Sequence, residues 1–288
     1  MTGKTMAKPA HNQYMPGHKA SQVIHHEWRT AENSAAYLLP KLEEMRKQNP
    51  NLRLLDVGAG SGTISVGLAK RLPDGLVTAT DLSDAILKRA EGFAEAADVK
   101  NMRFQPASAY ELPFSDASFD VTHCHQMLCH LDAPGDALRE MLRVTKPGGI
   151  VAARESDLEM QCIWPELSGV LRFNEVIKAT HKAAGGCNTG GRQLISWALK
   201  AGASRDQITA SYGTWCYSAP SDRKLWDAIN VAAAMAERIR NGEMRKKAIE
   251  LGLITDSNVE EMAAGWEAWA ERDDASLGMM HGEILIQK

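Results

Sequence analysis

Two acids and three glycines in the first third of the chain have the types and the spacing of a nucleoside-binding turn. The glycines alternate at Gly58, Gly60 and Gly62, and an acid stands on either side, at Asp56 and at Asp81. Glycine has no Cβ, so a ligand can lie directly against the backbone of such a turn. A carboxylate that ends the following strand can accept hydrogen bonds from both hydroxyls of a ribose. The pattern therefore predicts that a nucleoside binds between the glycines and Asp81.

The elements that must position these residues are a strand, a helix and a second strand. Residues 52–57 form a short apolar run that is typical of a buried strand, and residues 76–79 form another. Between them, residues 64–72 carry apolar side chains at helical spacing. This order predicts one right-handed crossover unit of a parallel sheet. The N–H groups at the start of the helix would then point at the ligand.

The glycine spacing separates two classes of nucleotide ligand. A dinucleotide fingerprint, G-x-G-x-x-G, needs its third glycine at position 63, where this chain has Thr63. Asp56 stands two residues before the first glycine, and its charge suits a cation better than a pyrophosphate. The stretch D-x-G-x-G-x-G resembles the first motif of class I S-adenosylmethionine-dependent methyltransferases, whose ligand carries an ammonium and a sulfonium. A nicotinamide-dependent oxidoreductase is the disfavoured alternative.

Later motifs extend this resemblance over residues 50–155. The tripeptide at 119–121 is F-D-V, and K-P-G-G at 146–149 precedes another apolar run. The combination is similar to the ubiquinone/menaquinone-biosynthesis methyltransferases and related small-molecule enzymes. The resemblance implies an α/β, Rossmann-like, seven-stranded and mostly parallel sheet with its last strand antiparallel. It also implies helices on both faces, helical insertions that form a cap, and S-adenosyl-L-methionine as the cofactor.

The resemblance also implies a set of cofactor contacts. Ser108 stands where the family usually has an acid that holds the adenine, and a hydroxyl accepts less strongly than a charge. We therefore expect the Ala109 N–H and the Tyr110 side chain to share that contact. Residues 1–30 are expected to be either an arm packed on the core or a lid over the cofactor. The predicted cofactor-binding residues are Tyr14, Arg29, Asp56, Gly58, Gly60, Asp81, Leu82, Ser108, Ala109 and His125.

Three residues are candidates for proton transfer. Methyl transfer needs a base only where the acceptor must lose a proton. His125 and His130 lie near the carboxyl end of the fourth predicted strand, and histidine ordinarily titrates near neutral pH. Glu155 and its neighbour Arg154 follow the fifth strand and could deprotonate or polarise an acceptor. An ion pair between these two residues is the equally weighted alternative.

Histidines and cysteines cluster between positions 123 and 130, which raises the question of a metal site. In a strand, His123 and His125 would point to one face and Cys124 to the other. A zinc site needs four ligands that converge on one point. We therefore predict no metal site, and we interpret His123 as a core histidine.

The rest of the chain predicts one domain, residues 1–288, with helical cap insertions at 156–186 and 221–277. A helix over 257–271, with Ser257 and Glu260 as a capping box, carries an apolar stripe. That stripe could pack on the sheet, face a second copy of the chain in a homodimer, or line a substrate pocket. The aromatic residues that could stack on a planar substrate are Trp164, Trp215 and Tyr217.

Composition limits the classes of partner. The 288 residues are 44% hydrophobic and 24% charged, with a net charge of −3 and no basic block, so nucleic acid is not expected. No run reaches membrane-spanning length, and the first twenty residues have no apolar core. Five scattered cysteines are typical of reduced thiols in the cytoplasm.

The leading hypothesis is methyl transfer to an apolar or aromatic small molecule by in-line displacement. The alternative is a regulatory protein of the same fold that binds the cofactor without methylating, which the hydroxyl of Ser108 in place of an acid motivates.

Overall fold

A seven-stranded sheet organises the residues that the computed structural model describes, 26–218 and 228–288. The strands are β1 (Arg53–Val57), β2 (Leu76–Asp81), β3 (Met102–Pro106), β4 (Phe119–His125), β5 (Thr145–Trp164), β6 (Ile208–Tyr217) and β7 (Ser276–Gln287). Their order across the sheet is β3-β2-β1-β4-β5-β7-β6. Strand β7 pairs antiparallel with β5 and β6, whereas β1 to β5 pair in parallel. The predicted fold is confirmed.

The strand order reverses between β1 and β4. From β1 the chain proceeds outward through β2 and β3, and it then returns to build β4 and β5 on the other side. Ligands of open parallel sheets bind outside the carboxyl ends of the strands at such a reversal. The glycine turn after β1 and the histidines that end β4 meet at this edge.

Ten α-helices accompany the sheet in the described residues. They are α1 (Ala31–Ser34), α2 (Leu39–Gln48), α3 (Thr63–Arg71), α4 (Asp84–Ala96), α5 (Pro134–Val144), α6 (Ser168–Ala183), α7 (Gly190–Ala201), α8 (Ala228–Asn241), α9 (Glu243–Glu250) and α10 (Asp256–Ala270). Neighbouring residues such as Leu54 and Leu55 belong to different apolar clusters, which also hold residues of α1 to α3 and of α5 and α7 respectively. Both faces of the sheet are therefore covered.

Strand β5 is much longer than predicted. It continues beyond Arg154 to Trp164, and its outer part pairs with the first residues of β7. The predicted insertion at 156–186 is therefore wrong for its first nine residues, which are strand. The pairing partner lies far along the chain, so the mixed polar sequence after Glu155 gave no local signal of a strand.

Helices α6, α8 and α10 pack around one apolar cluster beyond this strand pair. The predicted stripe of α10 is buried, with Trp266 and Trp269 at its centre. Helices α6 and α10 cross where Gly169 lies against Gly265. The predicted capping box is wrong, because Thr255 caps the helix and exchanges hydrogen bonds with Asn258 instead.

Part of the predicted cap insertion at 221–277 lies outside the described residues, and its described helices are α8, α9 and α10. In the described part of the chain no helix is long and apolar enough to cross a bilayer. All five cysteines are free thiols.

Candidate active site

The glycine turn after β1 adopts a backbone that only glycine takes readily. Gly58, Gly60 and Gly62 have φ angles of +70°, +55° and +74°. A Cβ at Gly58 would meet Met127 Cγ at 2.6 Å, and one at Gly62 would meet Ala90 Cβ at 2.7 Å. A Cβ at Gly60 would meet no atom within 4 Å, so it would occupy the cavity that this residue lines. The turn thus leaves a cradle of bare backbone at the edge of the sheet.

Asp81, at the end of β2, closes this cradle from the opposite side. Its Oδ2 accepts the Gly60 N–H at 3.1 Å, and its Oδ1 accepts the Ser83 N–H at 3.1 Å. Each carboxylate oxygen has two lone pairs, so both can accept one more hydrogen bond. The next residue, Leu82, is 57% exposed and also lines the cavity.

Asp56 is buried and bonded within the protein. One carboxylate oxygen accepts the Ser65 hydroxyl, and the other lies 2.8 Å from His123 Nδ1. His123 is completely buried, as expected of a core histidine. Asp56 therefore ties β1 to α3 and to β4, and it also reaches the cavity wall.

The cradle opens into a first cavity of about 180 Å³. Ala107 and Ala109 line it beyond Leu82, whereas Ser108 does not. The Ser108 hydroxyl accepts the Tyr110 N–H at 3.2 Å, and the Tyr110 hydroxyl accepts the Ala133 N–H at 3.2 Å. The arrangement therefore brings Ala109 to the site and leaves Ser108 and Tyr110 outside the lining.

A second cavity of about 140 Å³ lies behind the first. The two cavities have four lining residues in common: His26, Arg29, Gln126 and His130. We call these four residues the shared wall. The predicted contact Tyr14 lies outside the described residues.

Large apolar and aromatic side chains form most of the second cavity. They come from the outer sheet, the cap and the segment before α1: Trp28, Phe173, Ile177, Trp215, Tyr217, Met235, Trp266, Leu277 and Met279. Trp164, predicted as a stacking residue, is 57% exposed and does not line it. The described lining residues include Arg29 and Arg238 but no aspartate or glutamate.

His125, which ends β4, lines the first cavity with one nitrogen engaged. Arg154 Nη1 lies 3.0 Å from its Nε2, and because a guanidinium can only donate, Nε2 must accept. Burial, followed by the charges of Arg29 and Arg154, lowers the pKa of His125 well below its ordinary value. The ring is therefore neutral, with its proton on Nδ1 and its lone pair already used.

Arg154 pairs with Glu283 of β7 and not with Glu155, so the predicted ion pair is wrong. Its Nε lies 3.0 Å from Glu283 Oε1, and its guanidinium lies 4.8 Å from the Trp215 ring centroid. The two strands pair directly at these positions, with Arg154 opposite Glu283. The sequence alone could not show that Glu283 is the partner of Arg154.

Glu155 is completely buried and lines neither cavity. Its Oε1 accepts the N–H groups of Met127 and Leu128 at 2.9 and 2.7 Å, and its Oε2 accepts that of Cys129 at 3.3 Å. Burial raises the pKa of Glu155 to about 7. The carboxyl group thus caps the short 3₁₀ turn Leu128–His130, which carries His130 to the shared wall.

His130 has a different environment from His125. Its Nδ1 lies 3.3 Å from Nε2 of His181, a residue of α6. Burial, followed by the neighbouring His181 and Arg238, lowers the pKa of His130 to about 3. His130 is therefore a neutral imidazole in the partition between the two cavities.

Cys129, His130 and His181 bring three potential metal-ligand atoms within 4.8 Å of one another. A thiol binds metal as the thiolate, and burial raises the pKa of Cys129 well above its usual range. The two imidazoles already bond each other. The chemistry of this set therefore does not favour a metal.

Comparison with known proteins now identifies the family. The profile described as "Methyltransferase domain" matches residues 55–153, which include the glycine turn and most of β1 to β5. An uncharacterized methyltransferase of Schizosaccharomyces pombe is 31% identical over 98% of this chain and 99% of its own length. The chain belongs to the S-adenosylmethionine-dependent methyltransferases.

Other relatives of this methyltransferase agree with that assignment. A probable methyltransferase of Aspergillus luteorubrus is 27% identical over 96% of this chain and 98% of its own. The 27-O-demethylrifamycin SV methyltransferase of Amycolatopsis mediterranei is 33% identical over 51% of this chain and 59% of its own. The solved YcgJ protein of Bacillus subtilis shares the fold, with a TM-score of 0.53 and 18% identity over 92% of this chain and 98% of its own.

The cofactor of the methyltransferase is S-adenosyl-L-methionine, and the residues at the cradle fit it. The missing Cβ of Gly60 leaves room against the backbone, and the Asp81 carboxylate offers acceptors beside that room. The same cavity reaches Arg29 at one side and Ala109 at another.

Sequence reasoning missed His181 and Arg238, which face the shared wall from the cap. Neither belongs to a motif, and each lies on a helix whose packing depends on distant segments. The glycine-rich stretch after α6, residues 185–191, is a signal that the sequence does contain. A Cβ at Gly186 would clash with the His181 ring, so this glycine lets the loop cover that histidine.

Proposed function

We propose that this methyltransferase transfers a methyl group to a hydroxyl oxygen of a small, mostly apolar or aromatic acceptor bound in the second cavity. The observation that carries this proposal is the shared wall, because one of its residues, His130, lines both cavities. The aromatic lining of the second cavity supports a planar or apolar body for the acceptor.

We further propose how the cofactor is held. Asp81 would accept the ribose hydroxyls, Gly58 and Gly60 would let the ligand lie against the turn, and Ala109 would contact the adenine. Arg29 would pair with the carboxylate of the cofactor's amino-acid part. The contacts of Asp56, Leu82, Ser108 and Tyr14 with the cofactor stay predictions.

The charge of the second cavity favours a neutral or anionic acceptor over a cationic amine. Two guanidinium groups line it, and the described lining residues include no carboxylate. An ammonium group would need a nearby anion to offset the loss of its hydration. A phenol or an enol would instead become more acidic in this positive environment.

S-adenosylmethionine, when bound, supplies the methyl group, whose bond to sulfur breaks while its bond to the acceptor oxygen forms. The protein contributes alignment for this in-line displacement, and orientation alone can lower the barrier by roughly 7–11 kcal/mol. His130 Nε2 receives the proton of the acceptor hydroxyl.

The two other candidates for catalysis have supporting roles in this proposal. His125 uses its lone pair to accept from Arg154, so in this proposal it is not the base. The Glu155 carboxylate accepts hydrogen bonds from three backbone N–H groups and so holds the His130 turn in place.

The test is a methylation assay with tritiated S-adenosylmethionine and two acceptor panels. One panel holds phenols and enols of one to three fused rings, and the other holds primary and secondary amines of matched size. We expect tritium in ethers of the first panel, identified by mass spectrometry. Label found only on amines, nucleic acid or protein would overturn the acceptor class.

The regulatory alternative predicts a different outcome in the same assay. Calorimetry would show tight binding of S-adenosylmethionine, and neither panel nor a cell extract would become labelled. That result would replace catalysis by ligand sensing as the function.

A further inference from the structure

We propose that His181 and Asn188 are positioning residues that keep the proton of His130 on Nδ1, so that Nε2 is the atom that accepts the acceptor's proton. This inference rests on the proposed function above. It assigns a role to two residues that belong to no methyltransferase motif. It follows from the order of donors and acceptors in one chain of hydrogen bonds.

The chain begins at a backbone carbonyl that can only accept. Asn188 Nδ2 lies 3.0 Å from the Lys178 carbonyl oxygen, which fixes the orientation of the amide. Asn188 Oδ1 then lies 2.8 Å from His181 Nδ1. Because Oδ1 has no hydrogen, His181 must donate from Nδ1.

The same reasoning fixes the second ring. Burial lowers the pKa of His181, so the ring is neutral and has one proton, on Nδ1. Its Nε2 therefore carries a lone pair, and His130 Nδ1 lies 3.3 Å from it. His130 must donate from Nδ1, which leaves the lone pair of His130 on Nε2.

The backbone around both rings is tied down by further bonds. Glu155 accepts the N–H groups at the start of the His130 turn. The Cys187 N–H donates to the Cys129 carbonyl at 2.8 Å, and the Leu158 N–H donates to the Asn188 carbonyl at 2.7 Å. The loop that carries Asn188 is therefore attached to the His130 turn and to β5. The chain of bonds is thus tied into the backbone of the fold.

The proton balance of the step is simple. The O–H bond of the acceptor breaks, the proton moves to His130 Nε2, and the oxygen pair forms the bond to the methyl carbon. The positive charge lost from sulfur reappears on the imidazolium of His130, so the net charge of the site is unchanged. The Nδ1–H of His130 keeps its bond to His181 Nε2 during this transfer.

Several other charged or titratable groups face His130 and set its pH dependence. The charges that lower the pKa of His130 come from Arg29 before α1, His181 on α6 and Arg238 on α8, and the Cys129 thiol lies beside His130 on the same turn. Variants of His181 must therefore leave these groups in place.

The direct test is nitrogen NMR of the full chain with isotope-labelled histidine. The signals of His130 and His181 are assigned by their disappearance from the spectra of His130→Gln and His181→Gln. We expect His130 to show a protonated Nδ1 and an unprotonated Nε2. A proton on His130 Nε2 would overturn the proposal, whether or not any acceptor is known.

Kinetics on the best phenol of the methylation assay give the second test. His181→Leu removes the acceptor for His130 Nδ1–H, whereas the amide oxygen of His181→Gln can replace it. We expect kcat to fall about 100-fold in His181→Leu, toward the lower end of the roughly 10²–10⁴-fold that a general base contributes. His181→Gln should recover most of that loss, and the KM for the cofactor should change little in either variant.

The matched control is Thr180→Val, since Thr180 is the buried neighbour on α6 and bonds only within that helix. It should leave kcat near the wild-type value. Equal losses in the leucine and glutamine variants would show that His181 acts through packing, and would overturn the positioning role. A wild-type enzyme that labels no acceptor would defeat the proposed function, and the NMR result would still decide the tautomer.

Discussion

The two cavities on either side of the shared wall are built in different ways. Most residues that line the first lie between Gly58 and Ala109, and glycine, alanine and aspartate are frequent among them. The second is formed by large side chains from β6, β7, α6, α8 and α10, together with Trp28. A ligand common to a family can be held by a local motif, whereas an acceptor specific to one enzyme requires the packing of distant segments.

This difference predicts that variants of the two cavities separate into two kinetic classes. Substitutions around the glycine turn should change cofactor affinity. Substitutions at the shared wall and beyond should change turnover or acceptor affinity and leave cofactor affinity nearly unchanged.

The largest effect is expected for His130. His130→Ala removes the proposed base, so kcat should fall by about 10²–10⁴-fold. Cofactor affinity, measured by calorimetry with S-adenosylhomocysteine, should stay within a few fold of wild type. A variant with wild-type kcat would show that His130 takes no part in the proton transfer.

The next effect concerns the first cavity alone. Asp81→Ala removes an acceptor of charged hydrogen bonds, which should weaken cofactor binding by roughly 1–3 kcal/mol, or about 5- to 150-fold. The control is Asp84→Ala, a nearby exposed acid at the start of α4 that does not line the cavity. Equal affinity of both variants for S-adenosylhomocysteine would contradict the ribose contact.

The third prediction concerns the crossing of α6 and α10 in the cap, where a larger residue should weaken the packing. A Cβ at Gly265 would meet Gly169 Cα at 2.9 Å, so Gly265→Ala should lower the free energy of unfolding by roughly 1–3 kcal/mol. The helical Gly92 has nothing within 4 Å, so Gly92→Ala should instead raise it by about 0.5–1 kcal/mol. Urea unfolding of both variants checks the contrast. If both substitutions lowered the free energy of unfolding, the effect of Gly265→Ala could not be assigned to the helix crossing.

The smallest effect is the pH dependence of stability. The pKa of His130 is lowered on folding to about 3, so protons bind the unfolded chain more strongly as the pH falls below the ordinary histidine pKa. This residue alone should cost about 1 kcal/mol of unfolding free energy between pH 7 and pH 5.5. His130→Gln should lose about 1 kcal/mol less than wild type over the same interval, because the other buried histidines still contribute. An unchanged slope in that variant would contradict the lowered pKa.

The same contrast explains how much could be predicted from the sequence. Gly60 and Asp81 belong to one strand-turn-helix-strand unit, so their positions followed from local pattern. Ser108 was assigned by the family motif, but its hydroxyl is turned to the Tyr110 N–H and does not line the cavity. Motif position alone therefore did not fix side-chain direction.

The second cavity could not be derived in this way. The extension of β5 to Trp164 depends on β7, and the pairing of Arg154 with Glu283 depends on the same register. His181 lies beside His130 although 51 residues separate them in the chain. Each of these features comes from residues that are remote in the chain and close in space.

The central claim is that the cofactor lies against the glycine turn while His130 faces the acceptor. A crystal structure with S-adenosylhomocysteine and the best methylated phenol tests it most directly. We predict the ribose hydroxyls at hydrogen-bonding distance from the Asp81 carboxylate and the phenol oxygen closest to His130 Nε2. A sugar that faces away from Asp81, or a phenol bound outside the second cavity, would contradict it.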